Sequence, residues 1–355
     1  MKKFIIIGRG LAASCLMHQF HEHGIDFICI GEPSLSASSK VAGGIWNPVV
    51  FKRMTASWMA DDLIPSLLDF YAKCQKRLNT ALITQRSILK PFTENQEKQL
   101  WLKKATNALD NYLDTTLYDP RPEHHSLHIN NQYGKVQQAG NLNMEVFLEA
   151  TRLYFKHNIV QEIVDYNDIK VHPDCVEYKT HQAEHIIFCE GYLVKNNPYF
   201  DWIPLVPAKG ETLTVKGFGL NLKQFIFNKD GFIMDLGNDH YKIGATYEWK
   251  DLNDQITAKG LQDLENKIRQ MTSASYQVLS QEAGVRPSSI DRRPIVGKHP
   301  VHSHLHVFNG LGAKGVMLAP YFTENFVYFY LQKQHLHQEV DVKRFYHLYG
   351  SSTKK

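Results

Sequence analysis

The chain has 355 residues, 43% of them hydrophobic and 21% charged, with a formal net charge of +4. This is ordinary globular composition, long enough for two domains or one elaborated one. The mild positive balance leans toward anionic partners, but no basic tract accompanies it, so nucleic-acid binding is neither indicated nor excluded.

Cys15, Cys29, Cys74, Cys175 and Cys189 are scattered without a C-x-x-C pair, the pattern of reduced thiols rather than a disulfide scaffold. No run approaches the ~20 apolar residues of a membrane span. The short apolar stretch after Lys2-Lys3 is cut by Gly8-Arg9-Gly10, too early for a signal core. A cytoplasmic location is the expectation.

Phe4-Ile5-Ile6-Ile7 reads as a short buried strand, Gly8-Arg9-Gly10 as a sharp turn, and residues 11–23 as a helix. With Ala13 in the third small position this is G-x-G-x-x-A opening a helix. Gly8 permits the turn, Gly10 admits a pyrophosphate close to the backbone, and Ala13 lets helix and strand pack. The first helical amides then face an anion with the positive end of the helix dipole. A second strand over 25–30 ends at Gly31-Glu32, where an acidic side chain can take a ribose hydroxyl. Such a residue favours a cofactor without a 2′-phosphate.

Residues 34–48 are small or polar and rise through Gly43-Gly44 to Trp46-Asn47, a composition suited to a loop lying against a flat ligand. A helix is expected over 56–78, kinked or split at Pro65. Thr93-Glu94-Asn95-Gln96 starts another through Ala105, residues 120–125 are loop, and Asn143 precedes an amphipathic helix.

Strands are then expected over 159–166, 169–171, 175–178 and 185–189, the last ending in Glu190-Gly191. A second β-rich run follows, over 211–215, 224–227, 232–235 and 240–245, before a helix through Leu261, Leu264, Ile268 and Met271. A final strand at 305–308 meets Gly310-Leu311-Gly312-Ala313-Lys314-Gly315, which opens the last helix at 317–331. A glycine turn at each end implies a discontinuous nucleotide-binding domain with the intervening segments inserted as a second domain. Its parts are 1–80, 140–205 and 284–350, the second domain is 81–139 and 206–283, and 351–355 is a disordered tail. His302, His304 and His306 share one face of an extended segment near His299, but no carboxylate or cysteine joins them and no metal site is expected.

The ordered landmarks Gly8–Ala13, Glu32, Ser38-Ser39…Ala42-Gly43-Gly44, Phe188-Cys189-Glu190-Gly191, Pro207–Glu211, Ile243–Glu248, Gly284-Val285-Arg286-Pro287 and Gly310–Gly315 resemble the D-amino-acid oxidase/glycine oxidase (DAO) family. The likeness spans essentially the whole chain and extends to the oxidase half of the bifunctional enzyme that modifies the tRNA wobble uridine. It implies an α/β protein: a doubly wound FAD-binding domain of Rossmann type with an inserted antiparallel-sheet substrate domain.

By this resemblance Gly8, Gly10, Leu11, Ala12 and Ala13 hold the pyrophosphate and Glu32 the ribose. Ser38, Ser39, Ala42, Gly43 and Gly44 approach the phosphates and isoalloxazine, the backbone near Val164 reaches the adenine, and Gly191 borders the cofactor. Gly310, Gly312, Ala313, Lys314, Gly315 and Val316 border the flavin pyrimidine, where Lys314 and backbone amides would stabilise charge on the reduced ring.

Arg286 matches the family's carboxylate-binding arginine, and a guanidinium can take a carboxylate through two parallel bonds. An ion pair with Asp291 or Glu282 is the structural alternative. Three departures bear on the substrate. Phe232 stands where amino-acid oxidases often carry a tyrosine, Lys314 where glycine oxidase has arginine, and Trp46-Asn47 is a bulky pair at the expected mouth of the flavin face. Trp46, Asn47, Phe232 and Tyr247 make up the expected substrate pocket, and Tyr247 and Trp249 either wall it or simply pack the sheet.

The implied reaction is FAD-dependent oxidation of the C–N bond of a small amine or amino acid to an imine that hydrolyses, with oxygen or another acceptor re-oxidising the flavin. No protein general base is required. The alternatives are oxidation of a secondary amine on a larger substrate such as a modified tRNA uridine, or a non-catalytic flavin-binding protein. A pyridine-nucleotide dehydrogenase would leave Arg286 and the C-terminal turn unexplained. Oligomeric state is left open.

Overall fold

The computed structural model describes residues 1–32, 38–122 and 125–350. The expectations for residues 34–37, 123–124 and 351–355 fall outside them.

The N-terminal strand Lys2–Ile7 sits between parallel neighbours Phe27–Ile30 and His181–Phe188, with Ile7 opposite Ile30 on one side and Phe188 on the other. Ile159–Val160 and Leu305–Asn309 extend the parallel set outward. From Phe4 onward the strand is apolar and buried because both faces are covered. Phe4 and Ile6 face one core, built with helix Leu11–Glu22 and the C-terminal helix Gly315–Tyr330; Ile5 and Ile7 face another, with Tyr178, Phe200 and Trp202. Antiparallel strands Ile169–Val171, Val176–Tyr178 and Ile295–Lys298 complete this sheet. Its parallel strands all end on one edge, the position where open α/β sheets bind ligands.

A second sheet runs in the order Gln277–Arg286, Ala208–Lys216, His240–Gly244, Phe232–Gly237, Phe225–Asn228, Ser87–Pro91, Tyr133–Val136. It is antiparallel at every pairing except Phe225–Asn228 with Ser87–Pro91. Helix Ala258–Met271 packs on it, with its N-terminus on a buried carboxylate. Glu211 accepts from Thr257 N at 3.0 Å, Thr257 Oγ1 at 2.8 Å and Gln281 Nε2 at 2.6 Å. The architecture is thus mixed α/β, a doubly wound Rossmann-type sheet with an inserted, largely antiparallel one.

Several expectations change. The helix expected from 56 begins at Ala60, and Pro65 lies inside one continuous element, Ala60–Leu78. Near the helix start the ring removes a single backbone donor without dividing the helix. The strand expected over 159–166 pairs only at Ile159–Val160; residues 161–164 run on along a cleft, and Tyr166–Asp168 forms a 3-10 turn. Strands Ile83–Gln85, Ser87–Pro91, Tyr133–Val136, Gly140–Leu142, Gln277–Arg286 and Ile295–Lys298 were not anticipated.

Candidate active site

Gly8 turns the chain at φ +115°, where a side chain is strained, and a Cβ there would stand 2.4 Å from the Cys189 carbonyl oxygen. Two backbone bonds close the turn, Gly8 N–H to Ile30 O at 2.9 Å and Cys189 N–H to Ile7 O at 2.7 Å. The helix it releases points its N-terminus into a cleft of ≈ 1580 Å³, and the start of Gly315–Tyr330 lines the same cleft. Two helix N-termini thus place unpaired amides and positive dipole ends in one cavity. Ser39 Oγ already takes one of these amides, Leu11 N–H, at 3.1 Å.

Most of the anticipated residues line this cleft: Gly8, Gly10, Leu11, Ala12 and Glu32 at one end, and Ser38, Ser39, Ala42, Gly43 and Gly44 along a wall. Val164, Gly191, Gly312, Ala313, Gly315, Val316, Phe232, Tyr247 and Arg286 also reach it. The Phe232 ring lies against two glycines. A Cβ on Gly43 would stand 2.9 Å from its Cζ, and one on Gly244 2.6 Å from its Cε1.

Five anticipated residues are elsewhere. Ala13 is fully buried behind the first turn, serving the helix–strand packing read from its size. Gly310 makes the turn at φ +76°, while its neighbour Asn309 lines the cleft. Trp46 is not at the mouth: it is 1% exposed, and its Nε1 donates to Gln138 O at 3.0 Å. Asn47 is spent on a local turn, its Oδ1 accepting from Val49 N at 2.9 Å. Lys314 lies on the outer side of the glycine turn and donates from Nζ to Ser57 Oγ at 2.7 Å. The residue is exposed, yet its ammonium is enclosed enough that desolvation, followed by repulsion from Arg53, Arg293 and Arg292, holds it down to about 8.

Arg286 reaches the cleft from the inserted sheet. Nη1 donates to Lys209 O and Thr246 O, both at 3.3 Å, and the guanidinium lies 4.4 Å from the Tyr247 ring centroid. Both carboxylates proposed as structural partners are engaged elsewhere, Glu282 with Lys242 at 3.1 Å and Asp291 with Arg344 at 2.8 Å. Among the described residues Arg286 has no carboxylate partner. Burial lowers its pKa from the ordinary value, yet an arginine stays charged. The result is a desolvated cation facing a cavity.

Arg9, Phe51, Lys52, Tyr166, Glu190 and Gly210 line the cleft without having been singled out as site residues. Glu190 carried a readable signal, an ionisable residue at the carboxyl end of a central strand. It accepts from Tyr166 Oη and Asn197 Nδ2, each at 2.7 Å, and burial pushes its carboxyl up to about 7 against the pull of those two bonds. Phe51 and Lys52 lie on a turn whose direction no local pattern encodes.

The arrangement fits a flavin dinucleotide. Two helix N-termini suit a pyrophosphate, Glu32 stands at the end of the second strand within the cleft, and Gly43 and Gly244 make room for the flat Phe232 ring along its wall.

The family described as DAO, FAD dependent oxidoreductase, matches residues 3–325. Glycine oxidase of Bacillus licheniformis is 29% identical over 147 residues, 40% of this chain and 39% of that protein. The tRNA 5-methylaminomethyl-2-thiouridine biosynthesis bifunctional protein of Idiomarina loihiensis is 26% identical over 155 residues, 40% of this chain and 24% of that one. The aligned segments therefore span well under half of these curated relatives. The crystal structure of iminodiacetate oxidase from Chelativorans sp. BNC1 superposes with a TM-score of 0.77 at 16% identity, covering 97% of this chain and 98% of that one, a likeness of fold.

Proposed function

The chain belongs to the DAO family of FAD-dependent oxidoreductases, and from that premise we propose that it oxidises the C–N bond of a small, carboxylate-bearing amine to an imine that water hydrolyses. The observation that carries this reading is Arg286, an enclosed guanidinium without a carboxylate partner among the described residues, facing the same cleft as the glycine turn.

In this reading Gly8, Gly10 and the first amides of the helix hold the pyrophosphate, Glu32 the ribose, and the backbone around Val164 the adenine. Bound FAD supplies a hydride acceptor at its N5. Arg286 grips the carboxylate, and the Lys209 and Thr246 carbonyls fix the plane of its fork, so the substrate α-carbon is held in one orientation. Phe232 offers a flat apolar wall without a hydroxyl and helps exclude water. Ala313, Gly315 and Val316 border the flavin ring at the second helix start, where positive dipole accumulates. Lys314 acts on this edge only through the field of its charge, since its ammonium is bonded to Ser57. The division into a cofactor-holding part (1–80, 140–205, 284–350) and a substrate-holding part (81–139, 206–283) belongs to the same proposal.

Purified protein is expected to be yellow and to bleach anaerobically with a member of a panel of glycine, sarcosine, proline and D-amino acids. Stable yellow protein that no amine bleaches would favour a binding protein without turnover. Colourless protein that takes up no FAD would end both readings.

A second reading, oxidation of a secondary amine on a larger substrate such as a modified tRNA uridine, is favoured by one feature. Lys52, Arg53 and Arg292 are all exposed around the glycine turn and the cleft edge. It requires bulk tRNA to bleach the flavin, with binding that weakens steeply as salt rises.

A further inference from the structure

Tyr247 and Trp249 are 56% and 60% exposed, so neither packs into the sheet. Their rings lie 6.0 Å apart at an interplanar angle of 24°, a stacked pair standing in solvent. Scattered exposed apolar residues are common, but two large aromatic rings stacked together form a contiguous apolar surface.

This surface rests on a firmly bonded backbone. Thr246 N–H donates to Glu211 O at 3.1 Å, while Glu248 N–H to Lys209 O at 3.0 Å and Lys209 N–H to Glu248 O at 2.8 Å form a reciprocal bridge. The Glu248 carboxylate then accepts from Trp249 N and Lys250 N, both at 2.9 Å. The rings are therefore held ready at little further ordering cost.

They are also continuous with the cleft. Tyr247 lines it, and the Arg286 guanidinium lies 4.4 Å from its ring centroid. Arg286, Tyr247 and Trp249 form a ladder that leads outward from the anion-gripping fork to an open indole.

The geometry points to Tyr247 and Trp249 as a docking platform for a flat aromatic or heteroaromatic ring that the substrate carries several atoms beyond its carboxylate. This inference rests on the carboxylate reading of Arg286 and sharpens it, because a glycine-sized substrate would leave the platform in water. Stacking tolerates many ring types, since every such ring offers a π-face, so the ring can vary while the carboxylate does not.

The test is calorimetry on FAD-loaded protein with acetate, 4-phenylbutyrate and 4-cyclohexylbutyrate, using wild type and Trp249→Ala. The phenyl acid is expected to bind about tenfold more tightly than acetate and more tightly than its saturated counterpart. Trp249→Ala should remove that advantage and leave acetate unchanged. The platform is overturned if the saturated ring binds as well as the phenyl ring, if the advantage survives the substitution, or if acetate weakens equally. Failure of the Arg286 reading looks different: no carboxylate binds. In that event 4-phenylbutylamine replaces the acids, and the platform stands only if its binding falls with Trp249→Ala.

Discussion

Gly210→Ala tests the Arg286 fork without touching the arginine. Gly210 lies in strand Ala208–Lys216 directly opposite Gly284, and its backbone is not in the left-handed region, so alanine adds no φ strain. A Cβ built there stands 2.0 Å from Arg286 Nη2, 2.3 Å from Cζ and 2.4 Å from Nη1. Ordinary contact begins near 3.4 Å, so the fork must retreat by more than about 1 Å. The atoms displaced are the far end of a flexible side chain, which makes the change cheap for folding. Misplacing a positioning group by ~1 Å costs on the order of 10²-fold in rate, or roughly 2.7 kcal/mol at the transition state. The assay is anaerobic stopped-flow reduction of bound flavin by the best carboxylate-bearing amine, beside the same amine as its amide. Expected are a kcat/KM about 10²-fold lower for the acid, little change for the amide, and a Tm within a few degrees of wild type. An acid left at wild-type efficiency, or acid and amide falling together, would refute the assignment of the fork.

Arg286→Ala should raise the substrate concentration required by roughly 10²-fold, on the order of 3 kcal/mol, while Arg286→Lys restores only part of the loss because a point charge lacks the two-bond fork. Glu190 supplies a pH dependence whose sign is fixed. With its folded pKa raised to about 7 from an ordinary 4.5, the folded state holds the proton more tightly, so stability is greatest at low pH and is lost as pH rises through that interval. The full effect is about 3 kcal/mol at most, and urea denaturation of Glu190→Gln beside wild type at pH 5 and pH 8 should show the variant gaining relative stability at pH 8. A variant that gained at pH 5 instead would reverse the assignment. Thr257→Ala removes both the cap on Gly260 N and a donor to buried Glu211, and should cost about 1–2 kcal/mol in thermal unfolding with kinetics unchanged.

Features encoded by local sequence were legible. Gly8, Gly10 and Ala13 specify a turn that few other residues could make, and Glu32 follows at the end of the next strand. Arg286 was legible as a charge in a distinctive setting, but only the structure shows that Glu282 and Asp291 are engaged elsewhere. Side-chain direction was the information missing for Trp46 and Lys314. Each stands next to cleft-lining residues in sequence, and each turns away from the cleft, into the core with Nε1 on the Gln138 carbonyl or onto buried Ser57. The strands at Ser87–Pro91 and Tyr133–Val136 were missed because they join the inserted sheet from distant segments and carry a proline and a glycine that weaken the local strand pattern. The sequence around Glu190 does not reveal a shifted carboxyl, since its enclosure by Tyr166 and Asn197 arises from the fold.

The most direct test of the central claim is anaerobic titration of FAD-loaded protein with matched pairs of amines, each as the free carboxylate and as the amide, read as bleaching of the flavin band. Bleaching by at least one carboxylate, far weaker bleaching by its amide, and loss of that difference in Arg286→Ala are the expected results. Equal reduction by acid and amide, unchanged in the variant, would contradict the claim.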